Sequence, residues 1–151
     1  MSNAFNSQAG DSGTQYAALI LRVSLGVMWI AHGLLKVLVF TLPGTAQFFD
    51  SAGFPGWMAY PVALAEIGGG ALLIAGIATR QVVLALIPVL LGAFAVHAGN
   101  GWLFTNANGG WEYVAFLISA SVVQALLGNG AFALRFNRST GQLDPGSAIS
   151  D

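Results

Sequence analysis

The sequence predicts an all-α, polytopic membrane protein built as a bundle of four transmembrane helices. Three observations carry that expectation. Charged residues make up only 7% of the 151-residue chain and hydrophobic residues 56%, with a mean hydropathy of +0.72, whereas soluble domains carry about 25% charged residues. The apolar residues come in four long blocks parted by Gly-, Pro- and Asn-rich segments, and about 20 such residues cross the hydrocarbon core of a bilayer. The first block keeps its few ionisable residues to one side of a helix, as side chains facing a bundle interior would be.

Composition also excludes several functions. The formal net charge of -1 leaves no basic footprint for nucleic acid. The chain has no cysteine, so structural disulfides, cysteine-ligated zinc and iron–sulfur clusters, and thiol redox steps are excluded. The N-terminus does not read as a cleavable signal peptide: residues 1–15 lack Lys and Arg, and the apolar stretch behind them is too long.

Taken in order, residues 1–15 read as a disordered, solvated tail. The first span is about 16–40. At about 100° per residue, Arg22, Gly26, Trp29, Gly33 and Lys36 fall within roughly 40° of one line. Leu25 and His32 flank that line, and Ser24 points almost the opposite way. The next segment, to about residue 58, is rich in Pro, Gly and aromatics and suits the membrane interface. The second span is about 59–78 and carries Glu66; Thr79, Arg80 and Gln81 read as a tight turn. The third is about 82–98, with Pro88 inside and His97 at its end. A polar loop with Trp102 follows, then a fourth span at about 111–134, opening on Trp111 and Glu112. Residues 137–151 read as a flexible C-terminal tail. Arg80, Arg135 and Arg138 flank the spans on one side and the opposite loops hold no Lys or Arg, so both termini are expected on the cytoplasmic face.

At about 1.5 Å per helical residue, Glu66 lies roughly 10 Å deep from the outer side. His32 lies at a similar depth, with Lys36 beyond it. His97 and Glu112 lie at the outer ends of their spans. Trp29, His32, Lys36, Glu66, His97 and Glu112 can therefore converge in the outer half of the bundle. Arg22 stands apart in the inner part of the first span, able to pair with a carbonyl. Intramembrane charges normally pair, and Glu66 with Lys36 or His32 is the expected pairing. Glu66 poised to gain and lose a proton could relay it. Locked in an ion pair, it would only fix helix register. Glu112 has a plainer role available, as a carboxylate at a helix N-terminus. His97, Glu66 and Glu112 are dispersed single ligands, so no metal site is expected. Gly26, Gly33, Gly69, Gly70 and Gly76 read as places where helix backbones approach closely. The Gly68–Gly70 run is not a dinucleotide fingerprint, because no strand precedes it.

These residues carry a resemblance. Arg22-x3-Gly26, His32-Gly33-x2-Lys36, Glu66-x2-Gly69-Gly70 and Leu73-x2-Gly76-x2-Thr79-Arg80, with Gly53-Phe54-Pro55 and Gly128-Asn129-Gly130, resemble the DoxX family of small bacterial membrane proteins. The resemblance covers about 16–136. It departs where members commonly read Ser-Leu-Asp and this chain reads Ala133-Leu134-Arg135. It implies a four-helix protein of the cytoplasmic (inner) membrane, with some relatives linked to quinone-coupled sulfur oxidation and others to oxidative-stress complexes.

Three functions follow as expectations. The first is a membrane subunit of a quinone-linked redox system, its polar cluster binding the quinone headgroup. The chain carries no haem, flavin or iron–sulfur motif, so a partner redox protein would handle the electrons. The second is a non-catalytic anchor or assembly subunit, in which the charges only specify packing. The third is a carrier for a proton or small solute, which four helices would support best as a homo-oligomer.

Overall fold

The computed structural model describes residues 2–137 and 142–145, with side chains over 12–134. Helix α1 (Ser2–Leu34) runs on into a π-helical turn, Leu35–Val39. The stripe marked by helical spacing is its inward face: Arg22, Leu25, Gly26, Trp29 and Gly33 are buried and Ser24 is exposed. Residues 2–15, expected as a tail, belong to α1, since each residue added to an existing helix gains a hydrogen bond. Over the residues whose side chains are described, α1 and the π-helical turn form one apolar segment, Ser12–Val39.

Helix α3 (Ala59–Ala75) is the main partner of α1. The two backbones approach at paired glycines. A Cβ placed on Gly26 would lie 2.8 Å from the Gly70 carbonyl oxygen, and one on Gly70 would lie 2.6 Å from that of Gly26. Such contact is available only to small residues, and in lipid it replaces the hydrophobic drive that water would supply.

Helix α3 ends on Gly76, in the left-handed region at φ 74°, and Ala78 at φ 47° completes the turn into α4 (Thr79–His97). Thr79, Arg80 and Gln81, read from sequence as the turn, are thus the first turn of α4. The reversal sits three residues earlier because Gly76 tolerates that conformation. A Cβ there would also run into the Arg22 guanidinium.

The last helix, α5 (Glu112–Leu127), packs chiefly on α4. Among the described residues three helical segments are long and apolar enough to cross a membrane: Ser12–Val39, Gly56–Ala75 and Thr79–Asn100. The expected fourth long span over 111–134 is corrected. Helix α5 has 16 residues, about 24 Å of helix against a hydrocarbon core of about 30 Å. It stops because Gly128 (φ 81°) and Gly130 (φ 71°) turn the chain aside. Arg22 then holds the diverted segment, its Nη1 donating to the Asn129 carbonyl at 2.6 Å and its Nη2 to that of Ala131 at 3.3 Å. Arg80 Nε donates to the Ala125 carbonyl at 2.8 Å, tying the start of α4 to the end of α5.

Between α1 and α3 lies α2 (Leu42–Ser51), where the sequence suggested an interfacial segment. The Thr41 hydroxyl caps it, accepting from the Gly44 N–H at 3.2 Å. Asp50 Oδ1 accepts from the Gly56 N–H at 2.7 Å and fastens its end to the 3-10 turn Gly56–Met58. The apolar core joins Leu25, Trp29, Leu73, Leu86, Leu90 and Leu117. Ile20, Leu38, Leu64, Leu91, Phe116 and Leu126 are each more than half exposed, forming the surface that lipid would cover. Beyond the helices, β1 (Leu134–Asn137) pairs antiparallel with β2 (Gln142–Pro145), part of the stretch expected as a tail. Residues 138–141 and 146–151, Arg138 among them, lie outside the described residues.

Candidate functional site

The end of the bundle away from Arg22 gathers most of the polar residues singled out from sequence. Lys36 lies in the π-helical turn, where the Phe40 N–H bonds the Leu35 carbonyl five residues back at 2.9 Å. Such turns alter the direction of the side chains they carry and are frequent at functional sites. The Lys36 ammonium reaches across to α3, donating to Glu66 Oε1 at 2.8 Å. It also lies 2.8 Å from Oε2, so both carboxylate oxygens share the one cation. The carboxylate is deeply buried, whereas the lysine side chain keeps 19% of its surface accessible. Of the two partners expected for Glu66, Lys36 and His32, it is Lys36 that makes the pair.

His32 lies one helical turn before Lys36. Its Nδ1 is 2.9 Å from the Met28 carbonyl, and its ring stacks on Tyr113 of α5 with centroids 6.2 Å apart and planes at 21°. His97, at the end of α4, is held by the loop that follows. Its Nδ1 lies 3.1 Å from the Asn108 carbonyl and 3.0 Å from that of Gly109. That loop is itself tied down. The Asn100 side chain donates to the same two carbonyls, and Trp102 packs edge-on against Trp111 with centroids 4.5 Å apart.

These groups line one cavity of about 370 Å³, of the size that holds small ligands. Trp29, His32, Lys36, Glu66 and His97 all contribute to its wall. Most of the remaining lining is apolar: Met28, Met58, Val62, Val89 and Leu117, with Phe48, Phe49 and Phe54 from α2 and the turn after it. An adjoining cavity of about 390 Å³, lined by His32, Lys36, His97, Phe40, Thr45 and Phe48, extends beneath α2. The Thr45 hydroxyl, bonded to the Thr41 carbonyl at 2.9 Å and the Lys36 carbonyl at 3.2 Å, seats α2 over the lysine. The arrangement offers a concave apolar slot, a cation, a carboxylate and two imidazoles.

Glu112 is not part of this wall. Its Oε1 accepts from the Phe104 N–H at 3.0 Å, securing the loop at the first turn of α5. Arg22 lies at the opposite end, as its depth in the first span implied. The glycines lie where the helices meet: Gly33 against Ala63 and Ile67, Gly69 against Leu86, Gly26 against Gly70, and Gly76 against Arg22. Tyr113, Phe48 and Phe49 were not singled out from sequence, and Phe54 entered only through the Gly53-Phe54-Pro55 motif. Tyr113 had a signal, an aromatic opening the fourth apolar block beside Glu112. For the phenylalanines no periodicity marks which side of a short interfacial helix is covered. Among the described residues no group of three or more His, Asp or Glu is placed to hold a metal ion.

Comparison with known proteins gives two kinds of match. The DoxX family model matches residues 17–99, more than half of the chain. Among curated proteins, "Putative oxidoreductase CatD" of Bacillus subtilis (strain 168) is 36% identical over 120 residues, covering 80% of this chain and 85% of that protein. "Inner membrane protein YqjF" of Escherichia coli (strain K12) is 33% identical over 81 residues, covering 53% of this chain and 61% of the relative. No solved structure gives a significant match.

Proposed function

The chain belongs to the DoxX family, and from that premise we propose that it is a membrane subunit of a quinone-linked redox system whose cavity receives the quinone headgroup. The observation that carries the reading is the convergence of Trp29, His32, Lys36, Glu66 and His97 on one largely apolar cavity. A quinone headgroup needs a flat apolar slot, hydrogen-bonding partners at its oxygens and groups that exchange protons. Trp29 and the phenylalanines of α2 supply the slot and limit water. Lys36 offers a donor, and Glu66 and the imidazoles offer places for protons. The description of CatD as an oxidoreductase agrees with this assignment. Without cysteine the chain holds no thiol redox centre, so electrons would pass to or from a partner protein.

The same reading places the protein in the cytoplasmic (inner) membrane, consistent with the description of YqjF. It makes α5 a fourth, short crossing. The Arg22 end, with Arg80 beside the last turn of α5, would then face the cytoplasm under the positive-inside rule.

The experiment is mass spectrometry of small molecules retained by the protein purified in mild detergent, wild type beside Glu66→Gln. A quinone held by the wild type and lost from a folded Glu66→Gln variant is the expected result. Absence of quinone from both overturns the assignment. A second reading, a non-catalytic anchor, is favoured by one detail: Lys36 Nζ is within 2.8 Å of both Glu66 oxygens, so the pair neutralises itself without a ligand.

A further inference from the structure

We propose that the cavity opens sideways into the bilayer through a window between α3 and α4, and that the apolar chain of the quinone leaves by this window while the ring stays beside Lys36 and Glu66. The inference rests on the quinone reading and adds the class of quinone: one with a long apolar chain, taken from the membrane. The window follows from how α3 and α4 meet. Val62, Ala65 and Gly69 succeed one another along one side of α3, within about 60° at 100° per residue. At Gly69 the two helices touch, since a Cβ there would lie 2.9 Å from Leu86 of α4. Val62, nearer the start of α3, lines the cavity. Ala65 stands between the two and is exposed, although one turn farther along the same side is covered by α4. The helices have therefore parted at Ala65, directly before Glu66.

Across the gap α4 shows the matching edge. Leu84, Pro88, Leu91 and Ala95 form its exposed stripe, and Pro88 also lines the cavity. A residue that belongs to both marks where the cavity reaches the surface. A proline inside a helix lacks the N–H for the carbonyl four residues back and bends the helix, a reason for α4 to leave α3 at this level. One turn on, a Cβ placed on Gly92 would meet only Phe54 Cζ, at 4.0 Å, outside its own helix backbone. Phe54 thus crosses the seam at one rim of the window, while Gly69 and Leu86 close the other. From Leu86 to Gly92 is about 9 Å of helix, room for one hydrocarbon chain, whose carbons pack about 4 Å from their neighbours. Pro88 lies roughly 13 Å of helix from the outer end of α4, within the apolar segment Thr79–Asn100. At that depth the window faces hydrocarbon, which admits an apolar chain and not a water-soluble substrate. The cavity itself, about 370 Å³, is near the small end for ligand sites, so a long chain has to leave it.

The test uses the full chain in lipid nanodiscs and a long-chain benzoquinone whose chain carries a photoreactive diazirine close to the ring. After irradiation, peptide mass spectrometry locates the labelled residues, with and without an excess of the same quinone lacking the diazirine. Labelling that the excess removes is expected at Val62, Ala65, Pro88 and Val89. It should fall about tenfold in Ala65→Phe, whose ring would fill the window. Competed labelling at Leu35, Phe40 and Gly44 instead, where the adjoining cavity extends beneath α2, overturns the inference and leaves the quinone site standing. Window labelling unchanged in a folded Ala65→Phe variant overturns passage through the seam. Labelling that the excess removes nowhere sinks the underlying reading and the inference with it. Where Ala65→Phe does not fold, the position of the competed label on the unaltered protein decides.

Discussion

At one end of the bundle Lys36 meets Glu66 across α1 and α3, beside a cavity of about 370 Å³. At the other end Arg22, just as deep in the protein, meets no carboxylate among the described residues. Its guanidinium is satisfied by the carbonyls of Asn129 and Ala131, and its Nε has no partner. The buried side chains around this end, Thr79, Ser121 and Gln124, are polar and uncharged. The contrast separates two uses of charge. A pair of opposite charges is neutral as a unit and could be exchanged for an apolar pair without disturbing the backbone. A lone cation solvated by main-chain carbonyls is bound up with the path of that main chain. Arg22 is therefore tied to the path of the main chain, whereas the Lys36–Glu66 pair is not.

The largest expected effect tests the architectural half. Arg22→Met removes both donors from the 128–133 segment and leaves two carbonyls and a void behind. A loss of about 2–4 kcal/mol is expected, read as a large fall in the thermal unfolding temperature in detergent. Arg22→Lys should recover only part of it, because an ammonium is a point charge where the two carbonyls are spanned by a fork. If Arg22→Met unfolds at the wild-type temperature, the 128–133 segment is held by something else and the comparison collapses.

The next effect tests the cavity half through a double-mutant cycle. Lys36→Met or Glu66→Gln alone strands a partner at a partly accessible site, so each should cost about 1–3 kcal/mol, below the full figure for a wholly buried pair. The double variant should regain much of that loss, giving a coupling of at least about 1 kcal/mol. Stability alone does not separate the two functional readings, but retention of quinone does. A double variant that is stable yet empty supports the redox subunit. One that retains the same quinone as wild type shows that the charged pair only fixes packing.

The sequence made part of this contrast visible and concealed the rest for identifiable reasons. Helical spacing placed Arg22, Trp29 and Lys36 on one face, and the depth estimate separated Arg22 from the others, because regular helices turn spacing into geometry. The Lys36–Glu66 pair was legible for the same reason, together with the cost of unpaired charge in lipid. What was hidden depends on departures from regularity. The π-helical turn at Leu35–Val39 changes where Lys36 points, and no periodicity announces it. The end of α5 at Leu127 is set by Gly128 and Gly130, yet the apolar text runs on to Leu134, so hydropathy overran the helix. The cover made by Phe48 and Phe49 depends on how α2 is seated, which Thr45 and Asp50 decide through bonds to Lys36 and Gly56, contacts outside any helical repeat.

The smallest effect sharpens the boundary of the cavity end. Glu112 was grouped with the cluster by depth, but its carboxylate faces the loop and accepts from the Phe104 N–H. In Glu112→Gln the amide oxygen can still accept that bond. What is lost is a charge at a helix N-terminus, worth about 0.3–1 kcal/mol. A small shift in unfolding temperature is expected, with retention of quinone unchanged. The informative failure would be a substantial loss of binding in a protein of normal stability. Glu112 secures the same loop whose Asn108 and Gly109 carbonyls meet His97 Nδ1. Weakening by Glu112→Gln would therefore mean that the loop positions His97 at the cavity from outside it, and the working part of the molecule would extend from the bundle into the loop.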